Sequence, residues 1–199
     1  MSVIMFRDER RTYAGRLLPY LAMSFIFFGA GLAAGLLVVA HYPALTDQFE
    51  QTITSFVSVF RDMPRIKLAG AIFLNNAAKT LFAIVLGSLL GIVPAIFLFA
   101  NGIALAVAWS LSAHSRGAWL ALLSILPHGI IELPAVFLGT SIGLMIGARA
   151  LKRLTGRSDV TVGTELLDGL RFYTSVLVPL LFLAALVEAF VTTALISPR

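Results

Sequence analysis

The chain has 199 residues, 59% of them hydrophobic and only 13% charged, with a mean hydropathy of +0.94. A soluble domain carries about a quarter charged residues, so the composition excludes an ordinary water-soluble fold. The formal charge of +5 comes largely from two clusters, FRDERRTYAGR near the start and GARALKRLTGR at 147–157. Both flank apolar runs, as membrane-orienting charges do. Basic and aromatic residues do not interleave into a strand-binding groove, which argues against nucleic acid as a partner.

The first apolar run, Leu17–Ala40, covers 24 residues. It is long for a signal-peptide core, and no small-x-small cleavage site follows it, so it reads as a retained first span. After it comes an amphipathic stretch, predicted as an outer helix over 47–61. Leu45, Phe49, Ile53, Phe56, Val57 and Phe60 recur there at steps of three and four. Asp47 and Glu50 form an expected cap pair at its start. Such a helix lies on the membrane surface, packs across the bundle, or offers a docking face to a partner protein.

The region 68–113 is long enough for two crossings, predicted as 68–91 and 94–113, with GIVPA as the turn. A fourth span is predicted over 118–150 and a fifth over 172–196, kinked at Pro179. The expected fold is therefore all-α: a single membrane domain, a polytopic transmembrane helix bundle of about five spans. With the N-terminus in the cytoplasm, nine of the 15 Lys and Arg fall inside: Arg7, Arg10, Arg11, Arg16, Arg149, Lys152, Arg153, Arg157 and Arg171. Small residues recur at four-residue steps as Gly31 and Gly35, Gly87 and Gly91, and Ala135, Gly139, Gly143 and Gly147. That spacing lets helix backbones approach closely in lipid; it predicts a tightly packed bundle, and it is also compatible with a homo-oligomer.

Polar residues inside the spans raise the functional question, because each ionisable group there costs about 2.5–3.5 kcal/mol on insertion scales. Asn75, Asn76 and Lys79 lie in the second span, Asn101 in the third, His128 and Glu132 in the fourth, and Glu188 in the fifth. At 1.5 Å rise per residue, Lys79, Asn101 and Glu188 lie roughly 16, 18 and 12 Å from the outer ends of their spans. The seven residues form one candidate polar layer, in which Lys79 is expected to pair with Glu132 or Glu188. Within ILPHGIIELPA (125–135), Pro127 and Pro134 disfavour helix at Leu126 and Leu133. A broken helix is therefore expected at PHGIIELP, a device tolerated at membrane depth only where it is buried or lines a wet cavity.

No catalytic or metal chemistry is expected. The lone His128 lacks the second histidine of H-E-x-x-H, there is no cysteine, and neither a G-x-S-x-G elbow nor a phosphate loop occurs. Neither a cofactor nor a metal is predicted, and the chain reads as a non-enzyme.

The segments FLNNAAKTLFAIVLGSLLGIVPAIFLFANGIALA and LSILPHGIIELPAVFLGTSIGLMIG together resemble the stage II sporulation protein M family of integral membrane proteins. The resemblance rests on Asn75-Asn76, Asn101-Gly102 and above all Pro127-His128-Gly129 with Glu132 and Pro134. It implies a prokaryotic plasma-membrane protein of about five spans. In spore formers the namesake is the membrane component that localises a peptidoglycan-hydrolysing complex. Two roles follow as alternatives: a scaffold recruiting extracytoplasmic proteins through Tyr42–Lys67, or a transporter or channel lined by the polar layer.

Overall fold

The computed structural model describes residues 2–60, 63–156 and 161–192; within these helices the side chains of 2–12, 14, 53, 56, 57, 59, 60, 124–128, 131, 191 and 192 fall outside the description. Seven α-helices run in the order α1 (Ser2–His41), α2 (Pro43–Phe60), α3 (Arg65–Val85), α4 (Ile92–Arg116), α5 (Ala118–Leu154), α6 (Val162–Phe172) and α7 (Val178–Val187). Among the described residues there are no strands. Five helical stretches are long and apolar enough to cross a membrane: Gly15–His41, Arg65–Ser88, Ile92–Arg116, Glu132–Leu154 and Val162–Phe190. The fold is an all-α polytopic bundle.

Two differences from the sequence reading concern helix ends. α2 begins at Pro43, four residues before Asp47, so Asp47 and Glu50 lie inside the helix and cap nothing. Proline at the first helical position gives up a backbone N–H that has no intrahelical partner anyway. The last span starts at Val162, where the Thr161 side chain caps the helix by accepting from the Thr164 backbone N–H at 3.3 Å. The part of the fifth span beyond residue 192 lies outside the described residues, as do the side chains of Ile53, Phe56, Val57 and Phe60 on α2.

The broken helix does not occur. α5 continues as one helix from Ala118 to Leu154, through both Pro127 and Pro134, just as α1 runs through Pro19. A proline removes one i→i−4 bond and disfavours its predecessor, at about 3 kcal/mol. Packing along the rest of a long helix outweighs that local preference here. Chain reversals fall instead where glycine permits them. The α3–α4 turn uses Leu90 and Gly91 at φ 56° and 75°, and Gly117 at φ 86° is the single residue between α4 and α5.

α5 is the centre of the bundle: 67% of its most apolar stretch is buried, against 22–33% for the other four spans. It packs against α4 and α1 on one side and against α3, α6 and α7 on the other, while α1 pairs most extensively with α4. Its two faces feed two cores. Ile142, Met145 and Ile146 join Leu17, Ile84, Leu177 and Leu181, whereas Phe137 and Leu144 join Phe28 and Leu98. Phe137 meets Phe28 edge-on at 5.1 Å between ring centroids.

Between helices in lipid there is no hydrophobic driving force, so association depends on close packing and hydrogen bonds. The small-residue steps supply the packing. A Cβ at Gly31 would strike the Phe99 backbone, and one at Gly102 the backbone of Phe28, Gly31 and Leu32. On α5, a Cβ at Gly143 would strike Ala83, and one at Gly147 would strike Gly91 and Leu90. Hydroxyls supply the bonds: Ser24 Oγ on α1 meets Ser141 Oγ at 3.1 Å and Thr140 Oγ1 at 3.5 Å on α5. Tyr173 donates its phenol hydrogen to the Ala77 carbonyl of α3 at 2.9 Å. Ser24→Ala is expected to destabilise the bundle by about 0.6–1.7 kcal/mol, the range of interhelical bonds in lipid, read from the thermal midpoint in detergent. A Ser24→Ala shift no larger than that of an exposed serine such as Ser88 would deny the hydroxyl bridge any weight.

Candidate functional site

The predicted polar layer is divided by the fold. Asn76 is buried on α3 and accepts from exposed Asn75, whose Nδ2 donates to Asn76 Oδ1 at 3.1 Å. Asn101 turns back on its own helix, Nδ2 donating to the Phe97 carbonyl at 2.7 Å. The next residue, Gly102, lies against α1, so Asn101 belongs to the α1–α4 half. α3, α5 and the π-helical turn Glu188–Thr192 pack mutually in the other half. Glu132 is 5% exposed, Glu188 is half-buried, and each has an interaction partner. The His128 side chain lies outside the described residues.

Lys79 overturns its expected role. It is exposed on the outside of the bundle, and it pairs with neither Glu132 nor Glu188. The reason is the phase of α3. Its buried face is defined by Asn76, Ala77, Thr80, Ala83 and Ile84, and Lys79 falls on the flank beside it, with exposed Asn75, Phe82 and Leu86. Depth alone placed Lys79 among the acidic groups; helix rotation removes it.

A charged junction that the sequence reading missed lies at the end of the bundle where the first span begins. Glu165, in the first turn of α6, is 1% exposed. Arg16 of α1 approaches its Oε1 at 3.3 Å, and Arg149 of α5 approaches Oε2 at 3.5 Å. Asp168 receives Arg16 at 3.7 Å and Arg171 at 3.6 Å. Tyr13 lines the same spot, with Arg16 5.1 Å above its ring centroid and Phe172 5.5 Å from it. Burial, then the Glu165 carboxylate, pushes the Tyr13 phenol well above its ordinary pKa, so it stays protonated.

Each partner has a local reason to be there. Glu165 is placed by the Thr161 cap, and its charge suits a helix N-terminus; Arg149 lies in the last two turns of α5, where a cation suits the helix dipole. One carboxylate thus ties α1, α5 and α6 together across 149 positions of sequence, from 16 to 165. By sequence alone, Arg16 and Arg149 read only as orienting charges. The available sequence signal was TELLDGLRF after Thr161. With the fifth span predicted over 172–196, the charges of that segment fall outside it and have no partner in the sequence pattern.

A family model described as stage II sporulation protein M matches residues 24–193, taking in the Asn75-Asn76, Asn101-Gly102 and Pro127–Pro134 segments and most of the chain. The chain belongs to the stage II sporulation protein M family. Comparison with curated proteins and with solved structures found no match. Family membership and five apolar helices make this a multi-pass integral membrane protein. Of the family-like segments, Gly102 packs against α1, Asn76 and Glu132 are buried, and α5 runs through Pro127 and Pro134 without a break.

Proposed function

We propose that this member of the stage II sporulation protein M family is a membrane scaffold: a non-enzymatic bundle that anchors and localises extracytoplasmic partner proteins. The single observation carrying this reading is the unbroken α5, whose Gly139, Gly143 and Gly147 face is closed by side chain and backbone of Thr80, Ala83, Leu90 and Gly91. A transport path needs a polar layer that opens to water. The same residues are instead split between two halves, with Lys79 outside and Asn101 bonded to its own helix.

The proposed orientation has the N-terminus in the cytoplasm of a prokaryotic plasma membrane, supported by the Lys and Arg clusters at the two predicted inner ends. α2 then faces outward. It packs on α1 and α4 yet leaves Leu45 and Phe49 exposed, with Asp47, Glu50 and Gln51 beside them, a surface suited to an extracytoplasmic protein.

Proton flux into pyranine-loaded proteoliposomes distinguishes the two roles. The scaffold reading expects rates equal to protein-free vesicles, unchanged by Glu132→Gln. A flux that Glu132→Gln abolishes would establish the transport reading instead. In cells, deleting 47–60 is expected to remove proximity labelling of extracytoplasmic neighbours while the bundle still reaches the membrane; unchanged labelling would sink the role of α2.

A further inference from the structure

Lys79 is an exposed cation in the middle of a span. Measured along α3, it lies about 21 Å from Arg65 and about 14 Å from Ser88, the two ends of the span. Lysines near helix ends escape such positions by reaching to the surface. Lys79 is poorly placed to do so, because Cα–Cβ bonds tilt toward the helix N-terminus. Its stem therefore leaves α3 toward the farther end, at Arg65. Asn75, one turn earlier on the same side, is also exposed, and Phe82 and Leu86 complete an exposed face around the pair.

A cation facing hydrocarbon is costly, and within this chain nothing described neutralises it. A second copy offers no better partner. The acidic residues described within the spans are buried Glu132 and Glu165, Glu188 with its own partner, and Asp168 already paired. A symmetric dimer through α3 would also set Lys79 against Lys79. We propose that the Asn75–Lys79 face of α3 is a docking surface for a transmembrane helix of another protein, one carrying a carboxylate at mid-membrane depth. The inference rests on the scaffold reading and adds to it a contact inside the bilayer, separate from α2. Lys79 donates to the carboxylate and Asn75 offers its free carbonyl and second N–H one turn away, while Phe82 and Leu86 pack the apolar flanks.

The chain contains no cysteine, so Ser88→Cys, at an exposed position, places one fluorophore near the end of α3. The labelled full-length protein is reconstituted in phosphatidylcholine vesicles with a synthetic Leu/Ala helix of about 20 residues carrying a central Glu, Leu or Lys. Energy transfer is read as peptide density is varied. The Glu peptide is expected to associate about tenfold or more tightly than the Leu peptide, the gain of a charge-assisted hydrogen bond, and the Lys peptide more weakly than either. Lys79→Leu is expected to erase the preference and Lys79→Arg to keep it.

Equal association of the three peptides overturns the proposal, and so does a Glu preference that survives Lys79→Leu. Two further results also reject it: self-association of the protein that disappears in Lys79→Leu, which assigns the face to a second copy, or loss of peptide discrimination on adding phosphatidylglycerol, which assigns it to lipid phosphate. The three peptides on unsubstituted Lys79 need no folded variant. A failure here removes the α3 site and leaves the outer surface, tested by deleting 47–60, standing.

Discussion

Glu165→Ala is expected to cost the bundle about 2–4 kcal/mol. Removing one partner of a buried ion pair typically costs 3–5 kcal/mol, because the remaining charge is stranded. The lower figure applies because Arg16 and Arg149 keep 38% and 26% of their side chains exposed, which lets water recover part of the loss. At about 2–4 °C per kcal/mol for a chain of this length, the thermal midpoint in detergent should fall by at least about 4 °C. Glu165→Leu with Arg149→Met should lose less than Glu165→Ala alone, since an apolar replacement strands fewer charges. A Glu165→Ala protein that melts with the parent would show that α6 is held by Leu170 and Tyr173 packing and not by the carboxylate.

Gly147→Val is expected to be more damaging, at about 3 kcal/mol or more, the upper end of overpacking penalties. The atoms that a Cβ at Gly147 would meet are Gly91 N and Cα and Leu90 C, all backbone, in a turn already held at positive φ. A side chain could rotate aside; this turn cannot without moving α3 or α4. Gly31→Leu should act similarly on the α1–α4 pair, where the obstacle is the Phe99 backbone. Gly29→Ala and Gly70→Ala provide the opposite sign: nothing lies within 4 Å of a Cβ at either position. Alanine in a helix is favoured over glycine by up to about 1 kcal/mol, so these two should be neutral or stabilising. If Gly147→Val and Gly70→Ala behaved alike in melting and in yield of folded protein, the close contact between α5 and the α3–α4 turn would be refuted.

The junction and the glycine crossings divide the work of holding the bundle. Gly31, Gly35 and Gly102 join α1 to α4, while Gly139, Gly143 and Gly147 join α5 to α3 and its turn. The carboxylate of Glu165 then closes α6 and the first span onto α5 at one end. The two docking surfaces proposed above, α2 and the Asn75–Lys79 face of α3, lie outside these contacts.

Hydropathy and charge by themselves determined that this chain is a polytopic α-helical membrane bundle, because a run of about 20 apolar residues has few other stable fates. The four-residue glycine steps were also readable as close-contact faces, since helix periodicity alone puts such residues in line. Pairing was not readable: lipid is as apolar as leucine, so no residue announces which neighbour it prefers. Tertiary structure alone decided that Gly31 meets Phe99 and that Gly147 meets Gly91. It also decided that Arg16 and Arg149 converge on Glu165, a meeting of three segments that no local pattern encodes. The proline rule at Leu126 and Leu133 was a local preference, and α5 overrode it. Lys79 shows the limit most directly. Its depth followed from counting residues, but the direction it faces depends on which side of α3 the other helices cover.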